Sequence, residues 1–277
     1  MKRHFCIFLS ICFILFALPV SAGAERGEDF SCGQSLVWTF HDASATLTVT
    51  GEGEMTDFSP VPARRAPWQK YNAEIEHIVI GEGVTGIGDY AFSRIYAQTV
   101  TLPDTLMQIG SHAFNDSGII SLELPASVNF IGEAAFACSD RLAAVTMHAS
   151  DGLQIGADAF VSCTALSEVL LPQSPLSIGK TAFFNTALKE VWLPETVVYA
   201  PLAFDFTTTV YRMIDAQYRR NGDCDGDNTL NAQDLLQVQN RILSDGEDDL
   251  TADVNIDSRI NVLDMIRLKR LLTESDF

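Results

Sequence analysis

The side chains best suited to chemistry in this chain are carboxylates and amides at alternate positions in two twelve-residue segments, thirty positions apart near the C-terminus. The first segment carries Asp223, Asp225, Asp227, Asn231 and Asp234; the second carries Asp253, Asn255, Asp257, Asn261 and Asp264. Positions 1, 3, 5, 9 and 12 of both copies thus offer a side-chain oxygen, and position 7, Thr229 or Arg259, offers its backbone carbonyl. A tight loop with alternate residues turned inward and hard oxygen donors at this spacing wraps a calcium ion. The duplication predicts two Ca2+ ions as the cofactor. Position 8 is aliphatic in both copies, Leu230 and Ile260, and points away from the metal toward a core that the two loops can share.

Each loop needs an element behind it, and the sequence supplies one. Leu235, Leu236, Val238, Ile242 and Leu243 follow the first loop at helical spacing, and Met265, Ile266, Leu268, Leu271 and Leu272 follow the second. The unit is loop then helix, without the entering helix of an EF-hand. Position 12 is Asp where an EF-hand has Glu, and position 6, usually Gly, is Asn228 or Ser258. Asn tolerates left-handed backbone angles better than Ser, so the second loop is the more strained. Without metal the same residues would form a pair of Asx-rich turns. The segments GDCDGDNTLNAQDLLQVQNRIL and ADVNIDSRINVLDMIRLKRLL, spanning nearly all of 222–272, resemble the type I dockerin family. That resemblance implies a small calcium-folded α-helical module with two loop–helix (F-hand) units, whose partner is a cohesin domain of a scaffoldin, as in cellulosomes. It further implies cohesin contacts at loop positions 10 and 11 and at 17 and 18. These are Ala232, Gln233, Gln239 and Asn240 in the first repeat, and Val262, Leu263, Lys269 and Arg270 in the second, where alone the basic pair is kept.

Ahead of the loops the chain repeats with a period of about 22 residues. Ile87-Gly88 with Ala91-Phe92 recurs as Ile109-Gly110 with Ala113-Phe114, Ile131-Gly132 with Ala135-Phe136, Ile155-Gly156 with Ala159-Phe160, and Ile178-Gly179 with Ala182-Phe183, then decays to Ala203-Phe204. Short β-rich runs ending in Leu-Pro precede most copies, at Leu102-Pro103, Leu124-Pro125, Leu171-Pro172 and Leu193-Pro194. One such unit cannot bury its own apolar face, so the units must stack as coils of a solenoid. IGxxAF spaced with LP resembles the BspA-type leucine-rich repeats of bacterial surface and secreted proteins. Alternation in Leu36 to Phe40 and Thr46 to Thr50 predicts a β-hairpin cap, with Trp38, Trp68 and Tyr71 covering the first coil.

The expected fold is therefore two-domain: a β-rich leucine-rich-repeat solenoid with an N-terminal β-hairpin cap, followed by a small α-helical dockerin. The expected boundaries are a signal peptide over 1–24, cap over 25–74, repeats over 75–213, a short linker over 214–221 and the dockerin over 222–277. Lys2 and Arg3 ahead of an apolar stretch from Phe5 to Leu18, followed by Val20-Ser21-Ala22, have the form of a secretory signal. The stretch is shorter than the ~18 apolar residues of a membrane span, so the expected location is extracellular, on a cell-surface complex through the scaffoldin. Cys32, Cys138, Cys163 and Cys224 follow the signal with no metal spacing and define no disulfide framework. A formal net charge of −18 argues against a nucleic-acid partner.

The solenoid's own ligand is sought on its strands. Val79, Thr101, Glu123, Thr146, Leu170, Trp192 and Tyr211 are expected as one outward ladder, and His77, Thr99, Ser121, Ala144, Glu168 and Glu190 as the next. Leu170, Trp192 and Tyr211 together make a candidate ligand patch. No catalytic residues are assigned: His41, His77, His112 and His148 are scattered, and neither HExxH nor GxSxG occurs. Gly81, Gly83 and Gly86 spell GxGxxG, but in a repeat turn with no helix to follow. The function expected is that of a secreted, non-catalytic, cellulosome-type component that binds a cohesin through calcium and a protein or surface ligand through the solenoid, in the setting of polysaccharide degradation. The alternatives are a glycan-binding accessory module with Trp192 and Tyr211 as a stacking platform, or a cryptic glycoside hydrolase of the same complex.

Overall fold

A computed structural model describes residues 30–148, 152–172, 176–194, 197–200, 202–214, 217–220, 224, 231–244, 254, 264–266 and 268–269. The expected signal peptide lies outside these residues. Strands follow in chain order as β1 (Leu36–His41), β2 (Thr46–Gly51), β3 (Gly53–Glu54), β4 (His77–Ile80), β5 (Val84–Ile87), β6 (Thr99–Thr101), β7 (Gln108–Ile109), β8 (Ser121–Leu124) and β9 (Phe130–Ile131). They continue as β10 (Ala144–Met147), β11 (Leu153–Ile155), β12 (Glu168–Leu170), β13 (Leu176–Ile178), β14 (Glu190–Leu193), β15 (Val198–Tyr199), β16 (Thr209–Ile214) and β17 (Gln217–Arg220), before helix α1 (Ala232–Ser244).

Each coil has three sides. The strand before Leu-Pro joins one ladder of parallel strands, and the strand ending in Ile-Gly joins a second, in which β3, β5, β7, β9, β11, β13 and β15 pair in sequence order. The Ala-Phe segment forms the third side, an arch. The first ladder is hydrogen-bonded in three groups, β1-β2-β4-β6, β8-β10-β12 and β14-β16-β17. Proline ends the first strand because it has no N–H to give the ladder. The coil then turns, as where the Leu106 N–H donates to the Pro103 carbonyl at 3.1 Å.

The arch is built on an alternation that composition does not announce. Tyr90, His112, Ala134, Asp158, Thr181 and Leu202, just ahead of Ala-Phe, all have positive φ, as do Arg94, Asp116, Cys138, Ser162 and Asn185, two residues after each Phe. Alternating the hand of the backbone in this way turns every second N–H group to one side. Tyr90, Phe92 and Arg94 donate to the carbonyls of Ser111, Ala113 and Asn115 in the next coil; His112, Phe114 and Asp116 donate in turn to Glu133, Ala135 and Ala137. Asp158, Phe160 and Ser162 repeat the pattern onto Lys180, Ala182 and Phe184. The Ile-Gly glycine is needed for close approach: a Cβ on Gly156 would lie 2.7 Å from the Gly132 carbonyl carbon.

Coils held at this spacing bring like residues into contact. Phe92, Phe114, Phe136, Phe160, Phe183 and Phe204 are buried in one column. Consecutive ring centroids from Phe114 to Phe204 are 5.1 to 5.4 Å apart and within 5° of parallel. Trp68 heads the column, stacked on Phe92 at 5.3 Å, and Trp38 meets it edge-on at 5.8 Å. The expected cap is present. β1 and β2 form an antiparallel hairpin, and β2 pairs in parallel with β4, so the cap continues the first ladder without a break.

The cap also answers the first coil's orphan carbonyls. Because arch N–H groups point toward later coils, the carbonyls of Asp89, Ala91 and Ser93 have no earlier coil to accept from. The Phe58 N–H donates to Asp89 at 2.9 Å, the Trp68 indole N–H to Ala91 at 2.8 Å and the Gln69 amide to Ser93 at 2.6 Å. Buried backbone acceptors are thereby satisfied. At the other end, the segment expected as a linker, 214–221, contains β17, which pairs antiparallel with β16 from Tyr211↔Arg220 to Ile214↔Gln217. Both ends of the first ladder therefore finish in an antiparallel strand.

Candidate functional site

Helix α1 begins at the end of the first expected calcium loop. Asn231 precedes it, and the Asn231 Oδ1 accepts the Gln233 N–H at 2.6 Å while Asp234 Oδ2 accepts the Asn231 N–H at 2.8 Å. This is a reciprocal cap of the capping-box kind, with Asp in the place of Glu or Gln. The other oxygen, Asp234 Oδ1, accepts the Cys224 N–H at 2.8 Å. One carboxylate thus ties loop position 2 to loop position 9. Asp264, its equivalent in the second repeat, also stands at the start of a helical stretch, and both carboxylates are fully buried. Val238, Val254 and Leu268 form a small core with Leu235, Ile242, Met265 and Cys224 packed against it. That core joins the two repeats.

A buried carboxylate requires compensation. Two N–H bonds occupy about half of the roughly four lone-pair directions of Asp234, so room remains for a cation. The described donors, the Asp234 carboxylate and Asn231 amide oxygen of the first loop and the Asp264 carboxylate of the second, are hard oxygens and fit calcium rather than a soft metal. Asp223, Asp225, Asp227, Thr229, Asp253, Asn255, Asp257, Arg259 and Asn261 lie outside the described residues. Of the expected cohesin contacts, Ala232, Gln233, Gln239, Asn240 and Lys269 are exposed, whereas Val262, Leu263 and Arg270 lie outside the described residues.

On the solenoid the outward ladders have the expected register: Val79↔Thr101, Glu123↔Thr146, Thr146↔Leu170 and Trp192↔Tyr211. Their grouping adds something the register does not. Leu170 lies on β12, at the end of one hydrogen-bonded group, whereas Trp192 and Tyr211 lie on β14 and β16 of the next. Leu170 is 61 % exposed and Trp192 43 % exposed. Trp192 and Tyr211 stack face to face, with centroids 4.2 Å apart and planes 10° from parallel. Rings standing on edge against each other offer solvent their rims, so they do not make the coplanar platform on which a sugar ring stacks.

The histidines have local partners. His77 Nδ1 lies 2.8 Å from Thr99 Oγ1, His148 Nε2 lies 3.1 Å from Glu123 Oε1, and His112 stacks on Tyr90. Among the described residues no disulfide joins Cys32, Cys138, Cys163 or Cys224; burial pushes the thiols of Cys32 and Cys163 up to about 12. Arg65, Gln69 and Arg94, which the sequence did not single out, line a polar cleft beside the cap. The only sequence signal is the basic charge of Arg65 and Arg94 in an acidic chain. Among the described residues no helix is long and apolar enough to cross a membrane.

Comparison with known proteins places these features. Residues 70–189 and 145–210 match the BspA type leucine rich repeat region, in 6 copies, and residues 221–273 match the dockerin type I domain. Similar solved structures include a leucine-rich repeat protein from Eubacterium ventriosum, at 16% identity over 70% of this chain and 48% of that one, with a TM-score of 0.35. Another, from Bacteroides ovatus, has 17% identity over 62% of this chain and 60% of that one, with a TM-score of 0.35. A leucine rich cell surface protein from Faecalibacterium prausnitzii has 23% identity over 74% and 61%, with a TM-score of 0.37. This chain spans about half to three-fifths of the length of those proteins. No curated protein matches it. Type I dockerin domains are in general calcium-binding, imply a cohesin partner and typically occur in extracellular proteins; leucine-rich repeats imply protein interaction; neither is a catalytic domain. The chain belongs to the BspA-type leucine-rich-repeat family and carries a C-terminal type I dockerin domain.

Proposed function

We propose that this protein is a secreted, non-catalytic component of a cohesin-organised extracellular complex. Its dockerin assembles with two calcium ions and docks on a cohesin, and its solenoid binds a protein or surface ligand. The single observation that supports this most is the burial of Asp234 and Asp264, the position-12 carboxylates of both loops. The aspartates repel one another when drawn into loops, and the core behind them is too small to overcome that repulsion. Bound calcium supplies the positive charge that neutralises them. Asp234 meanwhile fixes the start of α1 through the Asn231 N–H, and Val238 and Leu268 bring the two repeats together. Closing the loops presents the exposed Gln239, Asn240 and Lys269 for cohesin contact, and attachment to a scaffold multiplies weak solenoid binding through avidity.

The test is calorimetric titration of the full chain with a panel of cohesins, in calcium and again in chelator. Tight binding in calcium alone is expected. Calcium uptake without cohesin binding would overturn the assembly role. On the solenoid, Leu170, Trp192 and Tyr211 are proposed as the ligand patch, with Trp192 supplying the exposed apolar area. Capture of bacterial or host surface proteins that is unchanged by Trp192→Ala would remove the patch from the reading.

A further inference from the structure

A cleft of about 230 Å3 lies where the cap meets the first two coils, lined in part by Arg65, Gln69, Asn72, Tyr90, Arg94 and Asn115. The chain has 36 Asp and Glu against 18 Lys and Arg, yet no carboxylate lines this cleft and two guanidinium groups do. Its polar groups are held in place by the fold. Arg65 Nε donates to the Pro60 carbonyl at 3.1 Å, which anchors the side chain and leaves its terminal amino groups as donors. Gln69 donates its amide to the Ser93 carbonyl at 2.6 Å and Asn115 donates its amide to the Ala137 carbonyl at 3.0 Å. Each amino group must face a carbonyl, so the amide orientation is set, and Gln69 Oε1 and Asn115 Oδ1 are left as fixed acceptors. Arg94 is an exposed side chain in a surface ion pair, its Nε lying 3.9 Å from Asp116 Oδ2, and its terminal amino groups are left to meet a second carboxylate. Tyr90 is braced by His112 at 4.6 Å between centroids.

Two guanidinium donors suit one carboxylate, two oriented amide oxygens suit hydroxyl groups, and a braced aromatic ring suits the flat side of a small saturated ring. The volume is below the ~300 Å3 at which drug-sized pockets begin, which limits the occupant to about one ring. From this combination we infer that the cleft is a binding site for a sugar acid, a hexuronate unit held by its carboxylate on Arg65 and Arg94 and by its hydroxyls on Gln69 and Asn115. An acidic peptide would fill the guanidinium side and could donate backbone N–H groups to the two acceptors, but it brings no compact saturated ring to the face of Tyr90. The site is separate from the sheet-face patch and does not depend on it.

The experiment titrates the full chain calorimetrically with galacturonate monomer, galacturonate trimer, neutral galactose trimer and a triglutamate peptide. The acidic sugars are expected to bind at least about tenfold more tightly than the neutral trimer and the peptide, since each charge-assisted contact carries about that factor. Equal affinity for monomer and trimer identifies a free sugar acid as ligand; a tighter trimer identifies the end of a polymer. Arg65→Gln and Arg94→Gln should each weaken acidic-sugar binding about tenfold or more with an unchanged thermal transition, and Trp192→Ala should leave it untouched. No heat with any sugar up to millimolar concentration, neutral sugar binding as well as acidic, preference for the peptide, or arginine variants that bind as the parent does would each overturn the assignment.

Discussion

Truncating Phe136 to alanine tests whether the aromatic column carries the stability of the repeats. Phe136 is fully buried between Phe114 and Phe160, with centroids at 5.2 and 5.1 Å and planes 3° and 1° from parallel. A buried Phe→Ala change costs about 3 to 5 kcal/mol, depending on how far the surroundings collapse into the space left. Here collapse is obstructed on both sides. The coils are clamped by Phe114 N–H to Ala135 at 2.7 Å, Phe136 N–H to Ala159 at 2.8 Å, and Gly132 and Gly156 N–H to Ile109 and Ile131 at 2.8 Å. The cost should therefore sit at the top of the range, near 5 kcal/mol, with the two lost ring contacts at ~1 kcal/mol each forming part of it. That is comparable to the whole stability of a marginal domain, ~5 to 15 kcal/mol. Urea unfolding followed by the fluorescence of the buried Trp38 and Trp68 reports the cap, which stacks on the repeat column through Phe92, with the half-exposed Phe130→Ala as control at under about 1 kcal/mol. A loss below ~2 kcal/mol, or one no larger than that of the control, would refute the clamped-column argument.

Asp234→Asn should cost more than a neutralised charge suggests, because the new amide turns an amino group toward the N–H of Cys224 or Asn231 and leaves a buried donor unpaired, about 1 to 3 kcal/mol. Loss of helical circular dichroism and a calcium isotherm weakened at least about tenfold are expected, and an unchanged calcium isotherm would take Asp234 out of the ligand set. Trp68→Phe keeps a ring on Phe92 but removes the donor to the Ala91 carbonyl; urea unfolding should show a loss of about 1 to 3 kcal/mol, and a neutral result would mean that water or a shifted backbone satisfies that carbonyl. The buried thiols of Cys32 and Cys163 keep their protons up to about 12 in the folded chain against 9.0 as the ordinary value. The unfolded chain then binds fewer protons between those limits, so the thiols' contribution to stability is constant below about pH 9 and falls above it by up to ~1.4 kcal/mol per pH unit for each thiol. A double Cys→Ser variant should lose that alkaline slope, and an identical slope would assign it to other groups.

Repeats and ladders were legible because buried positions recur in register: Ile-Gly and Ala-Phe fixed the coil, and Val79, Thr101, Glu123 and Thr146 fell on one row as alternation requires. The hand of the arch was not legible, since Tyr90, His112, Ala134 and Asp158 share no property that announces a positive φ. The neighbouring coil's carbonyls impose it, a tertiary demand that overrides local preference. β17 was hidden for the opposite reason: Gln217-Tyr218-Arg219-Arg220 shows no apolar alternation, and what defines the strand is its antiparallel register with β16. At the expected calcium loops the sequence proposed the oxygens, but it did not show that Asp234 also caps α1 or that it ties in Cys224. Arg65 and Arg94 could not be joined on paper, since only the stacking of cap on coil brings residues so far apart in sequence to one cleft.

The directional arch has a consequence for how such a chain can lengthen. The coils of Phe92, Phe114, Phe136 and Phe160 each give three arch donors to three carbonyls of the next coil, so duplicating such a coil within the array, as unequal crossing-over between repeats would, leaves both junctions chemically unchanged. The terminal pieces lack that freedom. A cap that supplies Phe58, Trp68 and Gln69 as donors fits only the end that shows bare carbonyls; placed at the opposite end it would set donor against donor. Heredity can therefore edit the number of coils freely while the N-terminal cap stays committed to its own end.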